Sequence, residues 1–313
     1  AIDVTFRRNH IHHSTMGIWC DWEAQGTRLS QNLLHDNQRP PFASVLKGGM
    51  MSQDIFVEVG HGPTLIDNNI MLSDASLRFA TEGVALVHNL ICGALTCVGG
   101  GTGPRYTPYH MPHRTEVMGF MTVLHGDDRF YNNIFVQKWP SDDIITMHDS
   151  DDGFDTENRA AGTWMFDEYP TYDEWISQFD FSKPADMAKL YGAHEGKLPV
   201  WIEGNAYLGG AKPSKKDVNA LISAVAREDV RVELVQKEDG YYLDTNVYEL
   251  IEGFKNRMID SDVLGKAFEP EERFENPDGT AIRFDSDYFG THRGVDVIPG
   301  PFADAKEAVK KLY

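Results

Sequence analysis

The chain lacks any apolar run near the ~18 residues that a membrane-spanning helix needs. No membrane span is therefore expected among its 313 residues. Positive charge is scarce, and the net charge is −19. That argues against nucleic acid, whose phosphates require Lys and Arg, and against a polyanionic substrate. Cysteine is scarce too. Cys20, Cys92 and Cys97 have no zinc-type spacing and leave an odd count, so reduced core residues are the preferred reading. No secretory apolar segment opens the chain and there is no initial Met. The start, "AIDVTFRRNHIHHS", reads as the middle of a fold, so an upstream portion of a longer protein is expected, with a cytoplasmic location.

What is present is a repeat. Asparagine followed by apolar residues recurs at Asn9, Asn32, Asn69, Asn89 and Asn133, with gaps of 23, 37, 20 and 44 residues. Gaps of 20 and 23 suit one coil of a parallel β-helix. The gap of 37 becomes ordinary if residues 38–53, rich in Pro and Gly, bulge from a turn. The gap of 44 holds two coils, or one coil and the "GGGTGPRYTPYHMPHR" loop. Aligning on the asparagines brings Ile18 onto Ile55, Trp19 onto Phe56, Cys20 onto Val57, Trp22 onto Val59 and Thr27 onto Thr64. Leu29, Ile66 and Leu86 coincide. The expected fold is mainly β: a right-handed parallel β-helix whose coils stack on a continuous core, with the asparagines bonded in a ladder.

The alignment also superposes two acids. Asp21 and Glu58 each lie 11 residues before their asparagine, and Arg78 lies 11 before Asn89. Side chains alternate along a strand. Ile18, Cys20 and Trp22 then face inward, while Trp19, Asp21, Phe56 and Glu58 share the outer face. Adjacent strands are ~4.7–4.9 Å apart, so the carboxylates are expected about 5 Å apart. This is near the ~5–5.5 Å of a retaining glycosidase and short of the ~6.5–9.5 Å of an inverting one. Like charges at that distance push one pKa up, giving one ionised nucleophile and one protonated acid, with Arg78 placed to stabilise the ionised member. Aromatic rings suit the apolar face of a sugar. The competing reading is a solvated acidic stack countered by one Arg.

The stretches "NHIHHSTMGIWCDWEAQGTRLSQNLLHDN" and "DIFVEVGHGPTLIDNNIML", with the later "MIDSDVLGKAFEPEERFENPDGTAIRFDSDYFG", resemble glycoside hydrolase family 120, the β-xylosidases on a parallel β-helix. The resemblance implies an Asp nucleophile at Asp21 and a Glu acid/base at Glu58. It further implies release of xylose from the non-reducing end of β-1,4-xylo-oligosaccharides with retention (xylan 1,4-β-xylosidase chemistry, xylan degradation). The long loop at 38–53 and the missing N-terminal coils depart from that family. The partners expected are therefore a xylo-oligosaccharide and either a second copy of the chain or the missing N-terminal portion.

Further candidates are weaker. Trp19 is the better stacking residue, and Trp22 is assigned to the core by alternation although it remains a substrate-binding candidate. His61, in "EVGHGP", either contacts sugar hydroxyls or caps the turn. His113, Arg114 and Glu116, in "PHRTEV", are candidate hydroxyl contacts. His10, His12, His13 and His35 gather near turns, read as polar turns before a metal site. "GGGTG" lacks the Lys of a phosphate loop. No cofactor and no metal are expected. The acidic run 148–158 is the one place considered for structural calcium, and it breaks EF-hand register. Three regions are expected: coils carrying the site at 1–159, an inserted α+β region at 160–255, and a C-terminal segment at 256–313 returning to the coils. In the α+β region, Ser214 is expected to cap a helix. Two alternatives compete with this reading. A β-helix polysaccharide lyase would use calcium and a basic catalyst, which the acid pair disfavours. A non-catalytic carbohydrate-binding β-helix needs aromatics and no paired acids.

Overall fold

The computed structural model describes residues 1–38, 52–98, 106–138, 145–147, 157–184, 197–304 and 307–313. Three short strands open the chain: β1 (Thr5–Arg7), β2 (His10–His12) and β3 (Met16–Cys20). The same course repeats in β4 (Thr27–Ser30), β5 (Leu33–His35) and β6 (Gln53–Glu58). It repeats again in β7 (Thr64–Asp67), β8 (Ile70–Met71) and β9 (Ala75–Ala80), and in β10 (Val84–Val87), β11 (Leu90–Ile91) and β12 (Ala94–Val98). A hairpin of β13 (Tyr106–His110) and β14 (Val117–Thr122) precedes β15 (Asp128–Tyr131) and β16 (Ile134–Val136). Then come β17 (Ile145–Met147), β18 (Glu157–Ala160) and a short helix α1 (Tyr172–Ile176), begun by a capping box between Thr171 and Glu174. They are followed by β19 (Val200–Glu203), β20 (Ala206–Leu208), β21 (Leu221–Ile222), β22 (Val232–Lys237) and β23 (Gly240–Thr245). Helices α2 (Val247–Leu250) and α3 (Ser261–Leu264) and strand β24 (Val309–Lys311) follow, and short 3₁₀ turns lie at Trp164–Glu168 and Arg227–Asp229.

These strands correct the expected architecture. They do not form a single right-handed parallel β-helix; they are dealt into separate sheets. Sheet I runs β1-β4-β7-β10-β15-β19, sheet II runs β2-β5-β8-β11-β16-β20-β21, and sheet III runs β17-β18-β12-β9-β6-β3. Sheets I and II are parallel throughout, whereas β12-β18 and β18-β17 in sheet III pair antiparallel. The repeat predicts which residues pair on successive strands, and those pairs are present. It carries no information on how many sheets share them.

The core follows from alternation on the first two sheets. Leu29, Ile66, Leu86 and Phe130 of sheet I join Leu34, Met71, Ile91, Phe135 and Tyr207 of sheet II in one apolar cluster, with Ile55, Val57, Leu77, Phe79 and Leu95 of sheet III. The opposite faces are covered as well. Leu65, Ala85, Val87 and Tyr131 of sheet I pack against Ile259, Leu264, Phe274, Ile282 and Phe284 of the C-terminal segment. Leu33, Ile70, Leu90 and Ile134 of sheet II pack against Val232, Leu243, Tyr248 and Phe302. Burial on both faces explains continuous apolar runs such as Val84-Ala85-Leu86-Val87. The cysteines are free and buried, as the composition suggests. Burial lifts the Cys20 thiol to about 11 and the Cys92 thiol to about 12.

The asparagine ladder is present and longer than the sequence pattern indicates. The Asn9 amide donates to Asn32 Oδ1 at 3.0 Å, Asn32 to Asn69 at 2.9 Å, Asn69 to Asn89 at 3.0 Å and Asn89 to Asn133 at 2.9 Å. Asn133 then donates to a sixth member, Asn205, at 3.0 Å. Asn205 sits between β19 and β20, which pair with β15 and β16. Three strands from the 160–255 stretch, β19, β20 and β21, thus belong to the parallel sheets. The helix expected from Ser214 is absent. Ser214 Oγ instead donates to Asp167 Oδ1 at 2.7 Å, and the chain beyond it forms turns and β21. Of the stretch "TNVYELIEGFKNRMI", only Val247–Leu250 is helical.

Candidate active site

The site is built on the edge of sheet III. Strands β3 and β6 pair in parallel, with Ile18 opposite Ile55, Trp19 opposite Phe56 and Cys20 opposite Val57. The next pair in that register is Asp21 and Glu58. Glu58 is the last residue of β6 and is 9% exposed. Asp21 lies one residue beyond β3 and is exposed, its Oδ1 accepting a hydrogen bond from the Trp22 backbone N–H at 3.0 Å.

Trp19 binds the two strands together. Its indole Nε1 donates to Glu58 Oε2 at 3.1 Å, and its ring lies parallel to that of Phe56 with centroids 6.0 Å apart. Its exposure of 49% leaves half of the indole open to a ligand. Trp22 departs from the expected interior position, with an exposure of 45%. The alternation that assigned it inward stops with β3 at Cys20, and the chain turns at Asp21. Arg78 is also displaced from its expected place. It pairs with Phe56, and Ala80 pairs with Glu58. The Arg78 guanidinium lies over the Phe56 ring, 5.2 Å from its centroid. The turn after β9 is two residues shorter than that after β6, and counting back from the asparagines hid this.

The backbone after Glu58 is constrained. Val59 has φ of 45°, a conformation that a β-branched residue adopts only under strain worth ~1–3 kcal/mol. Its N–H donates to Ala80 O at 2.9 Å and its carbonyl accepts from Glu23 N at 3.1 Å, so β9 and the Asp21 turn both hold it. Thr81 Oγ1 donates to Gly60 O at 2.7 Å. His61 is then buried, with Nδ1 2.5 Å from Glu82 Oε1 and Nε2 3.1 Å from Thr107 O. Both ring nitrogens are engaged inside the protein. Burial opposes the His61 charge, yet Glu82 outweighs it and raises the imidazole pKa. Burial likewise acts to raise the Glu82 carboxyl, and His61 outweighs it and holds the carboxyl below its usual value.

The β13–β14 hairpin docks beside the Asp21 turn. Gln25 Nε2 donates to His110 O at 3.0 Å and to Glu272 Oε2 at 2.6 Å, and the His110 N–H donates to Gln25 Oε1 at 2.8 Å. His110 Nε2 lies 3.3 Å from Glu23 Oε2. None of Glu23, Gln25, His110 and Glu272 was singled out from sequence, and only the "EAQG" that follows Trp22 hinted at a polar turn. At the hairpin tip Arg114 and Glu116 are exposed. His113 lies 3.1 Å from Asp3 Oδ1 and 3.4 Å from Glu275 Oε1. Burial opposes its charge, and these carboxylates outweigh that and raise its pKa. The four N-terminal histidines form a separate group on sheet II with Tyr241 and Tyr313. His10 Nε2 lies 2.7 Å from His35 Nε2, and the His12 and His35 rings stack at 4.9 Å. Burial, with the charges of His35 and His12, lowers His10 to about 4.

Two groups of three could hold a cation among the described residues: Asp3, His113 and Glu272, and His61, Glu82 and Glu269. The calcium candidate at 148–158, the loop at 39–51 and "GGGTG" fall outside the described residues, save Glu157 and Asn158, which lie in β18. Cavities of about 250 and 430 Å³ open elsewhere, one beside Trp175 and Trp201 and one beside Arg7 and Arg28, and neither is lined by Asp21 or Glu58. No described helix is long and apolar enough to cross a membrane.

No family model and no curated protein matches the chain. A solved structure does: XylC in complex with xylose, with a TM-score of 0.80 and 31% identity over 99% of this chain. The chain is similar to XylC. The likeness takes in 43% of XylC, so this chain spans less than half of that protein's length.

Proposed function

We propose that this chain carries the catalytic carboxylates of a retaining, exo-acting glycoside hydrolase that releases xylose from the non-reducing end of β-1,4-xylo-oligosaccharides. The register of β3 against β6 supports the reading, because Cys20 pairs with Val57 and the residues that follow them are Asp21 and Glu58. Carboxylates about one strand spacing (~4.7–4.9 Å) apart would suit double displacement, whose acids stand ~5–5.5 Å apart, better than inversion, which needs ~6.5–9.5 Å. The likeness to XylC, solved with xylose, supports the choice of sugar.

In this mechanism an Asp21 oxygen attacks the anomeric carbon as Glu58 protonates the departing glycosidic oxygen. A covalent glycosyl ester on Asp21 results. Glu58, now ionised, takes a proton from water, whose oxygen attacks the same carbon and frees Asp21. The Trp19 N–H holds the Glu58 carboxyl through Oε2. The half-exposed indoles of Trp19 and Trp22 offer apolar faces to the sugar rings. The test is hydrolysis of an aryl β-xyloside, with the first-formed anomer read by NMR. β-Xylose should appear first; α-xylose first, or full activity in Asp21→Ala, would overturn the reading.

A further inference from the structure

Behind the strained turn after Glu58, a buried cluster has a deficit of positive charge. Glu82 is 0% exposed, His61 3% and Glu269 9%. The ligand-bearing atoms of the three lie within 4.8 Å of one another. Among the described residues no donor of good geometry reaches either carboxylate oxygen of Glu269, although both are shielded from solvent, and the polar group it does meet is another carboxyl, that of Glu82. Its neighbours are the Glu82 carboxylate and His61 Nδ1 at 3.8 Å. Burial first, and then the Glu82 charge, push the Glu269 carboxyl well above the usual range. The Arg129 guanidinium is committed to Asp127 at 2.8 Å, beside Trp201 and Phe274.

We propose that His61, Glu82 and Glu269 form a binding site for one divalent cation of the zinc class. One imidazole and two carboxylates are a donor set suited to zinc and unlike the all-oxygen shells of calcium or magnesium. The surroundings already orient two ligands. The contact of His61 Nε2 with Thr107 O at 3.1 Å fixes the proton there and presents the Nδ1 lone pair to the cluster. The Leu124 N–H donates to Glu82 Oε2 at 2.6 Å and leaves Oε1 turned toward His61. Zinc bonds of ~2.0–2.2 Å in a tetrahedron need ligand atoms ~3.4 Å apart. The 3.8 Å between His61 and Glu269 is close to that, and the 2.5 Å between His61 and Glu82 must open. Such an ion would cross-link the turn after Glu58 to β9's end and to the C-terminal segment. The inference is independent of the hydrolase reading.

The test uses the whole chain, stripped of metal by a chelator and titrated with zinc chloride. Calorimetry should show an equivalent of zinc that raises the melting temperature by several degrees, and crystals should give an anomalous zinc peak against Glu269. Glu269→Gln should lower the affinity of that equivalent at least about tenfold and abolish its thermal shift. Without metal, the variant should melt at or above wild type, because a neutral amide relieves the repulsion with Glu82. If Glu269→Gln does not fold, the anomalous peak in the wild-type protein decides alone. Unchanged zinc binding in a folded Glu269→Gln protein would place the ion elsewhere, for instance at Asp3, His113 and Glu272. No bound equivalent in wild type would mean a shared proton only. Either result overturns the proposal.

Discussion

The asparagine ladder and the acid pair use one geometry to opposite effect. Both set like residues at equivalent places in successive layers, the asparagines in the connections between sheets I and II and the acids where β3 and β6 end. An amide donates and accepts, so each asparagine satisfies the next, and Asn69 alone donates to Asn89 and to Leu29 O while accepting from Asn32. A carboxylate only accepts. Neither acid can satisfy the other as the amides do, and each takes a donor from elsewhere: the Trp22 backbone N–H for Asp21 and the Trp19 indole for Glu58. The ladder thus holds the strands in register, and in the proposed hydrolase the pair would put that register to catalytic use.

Changes on either side test this contrast, the largest expected on the acids. Asp21→Ala or Glu58→Ala should lower kcat on an aryl β-xyloside by ~10³–10⁴ or more, with little change in melting temperature. Asn69→Ala should do the reverse. It strips a buried position of several hydrogen bonds and should cost ~3–5 kcal/mol in denaturant unfolding, several times the loss in Asn9→Ala at the ladder's open end.

A third test bears on charge. His10 is held at about 4 from an ordinary 6.5, so the unfolded chain binds its proton first as pH falls. Its contribution is intact above pH 6.5 and is lost as pH falls toward 4. Melting temperatures measured across that window should drop, and His10→Gln should flatten part of the slope. The smallest effect belongs to Trp19→Phe, which keeps the stack on Phe56 and removes the donor to Glu58. We expect about a tenfold loss in kcat/KM and a stability change under ~1 kcal/mol. Equal activity would show that the indole N–H does not position the acid.

Local repetition made the pairing legible. Asn followed by apolar residues marks one turn of each layer, and the pairs Ile18–Ile55, Trp19–Phe56 and Thr27–Thr64 follow from it. The pattern failed where a turn changed length, as at Arg78, and where a strand stopped, as at Trp22. It also could not tell three sheets from a single helix of coils, because identical spacing serves both. Glu82 and Glu269 are far apart in sequence, and no local rule joins them. Asn205 did carry the signal, in "GNAYL", but 72 residues after Asn133 it fell outside any regular interval.

That irregular interval has a bearing on how such a chain can change. Successive ladder members are separated by 23, 37, 20, 44 and 72 residues, yet each meets its neighbour at 2.9–3.0 Å. Lengthening a connecting loop adds only ~0.6 kcal/mol per doubling, while a one-residue slip would turn every side chain to the wrong face. Insertions between layers are therefore tolerated, and new loops can be grafted there to reshape what surrounds Asp21 and Glu58 without moving either carboxylate.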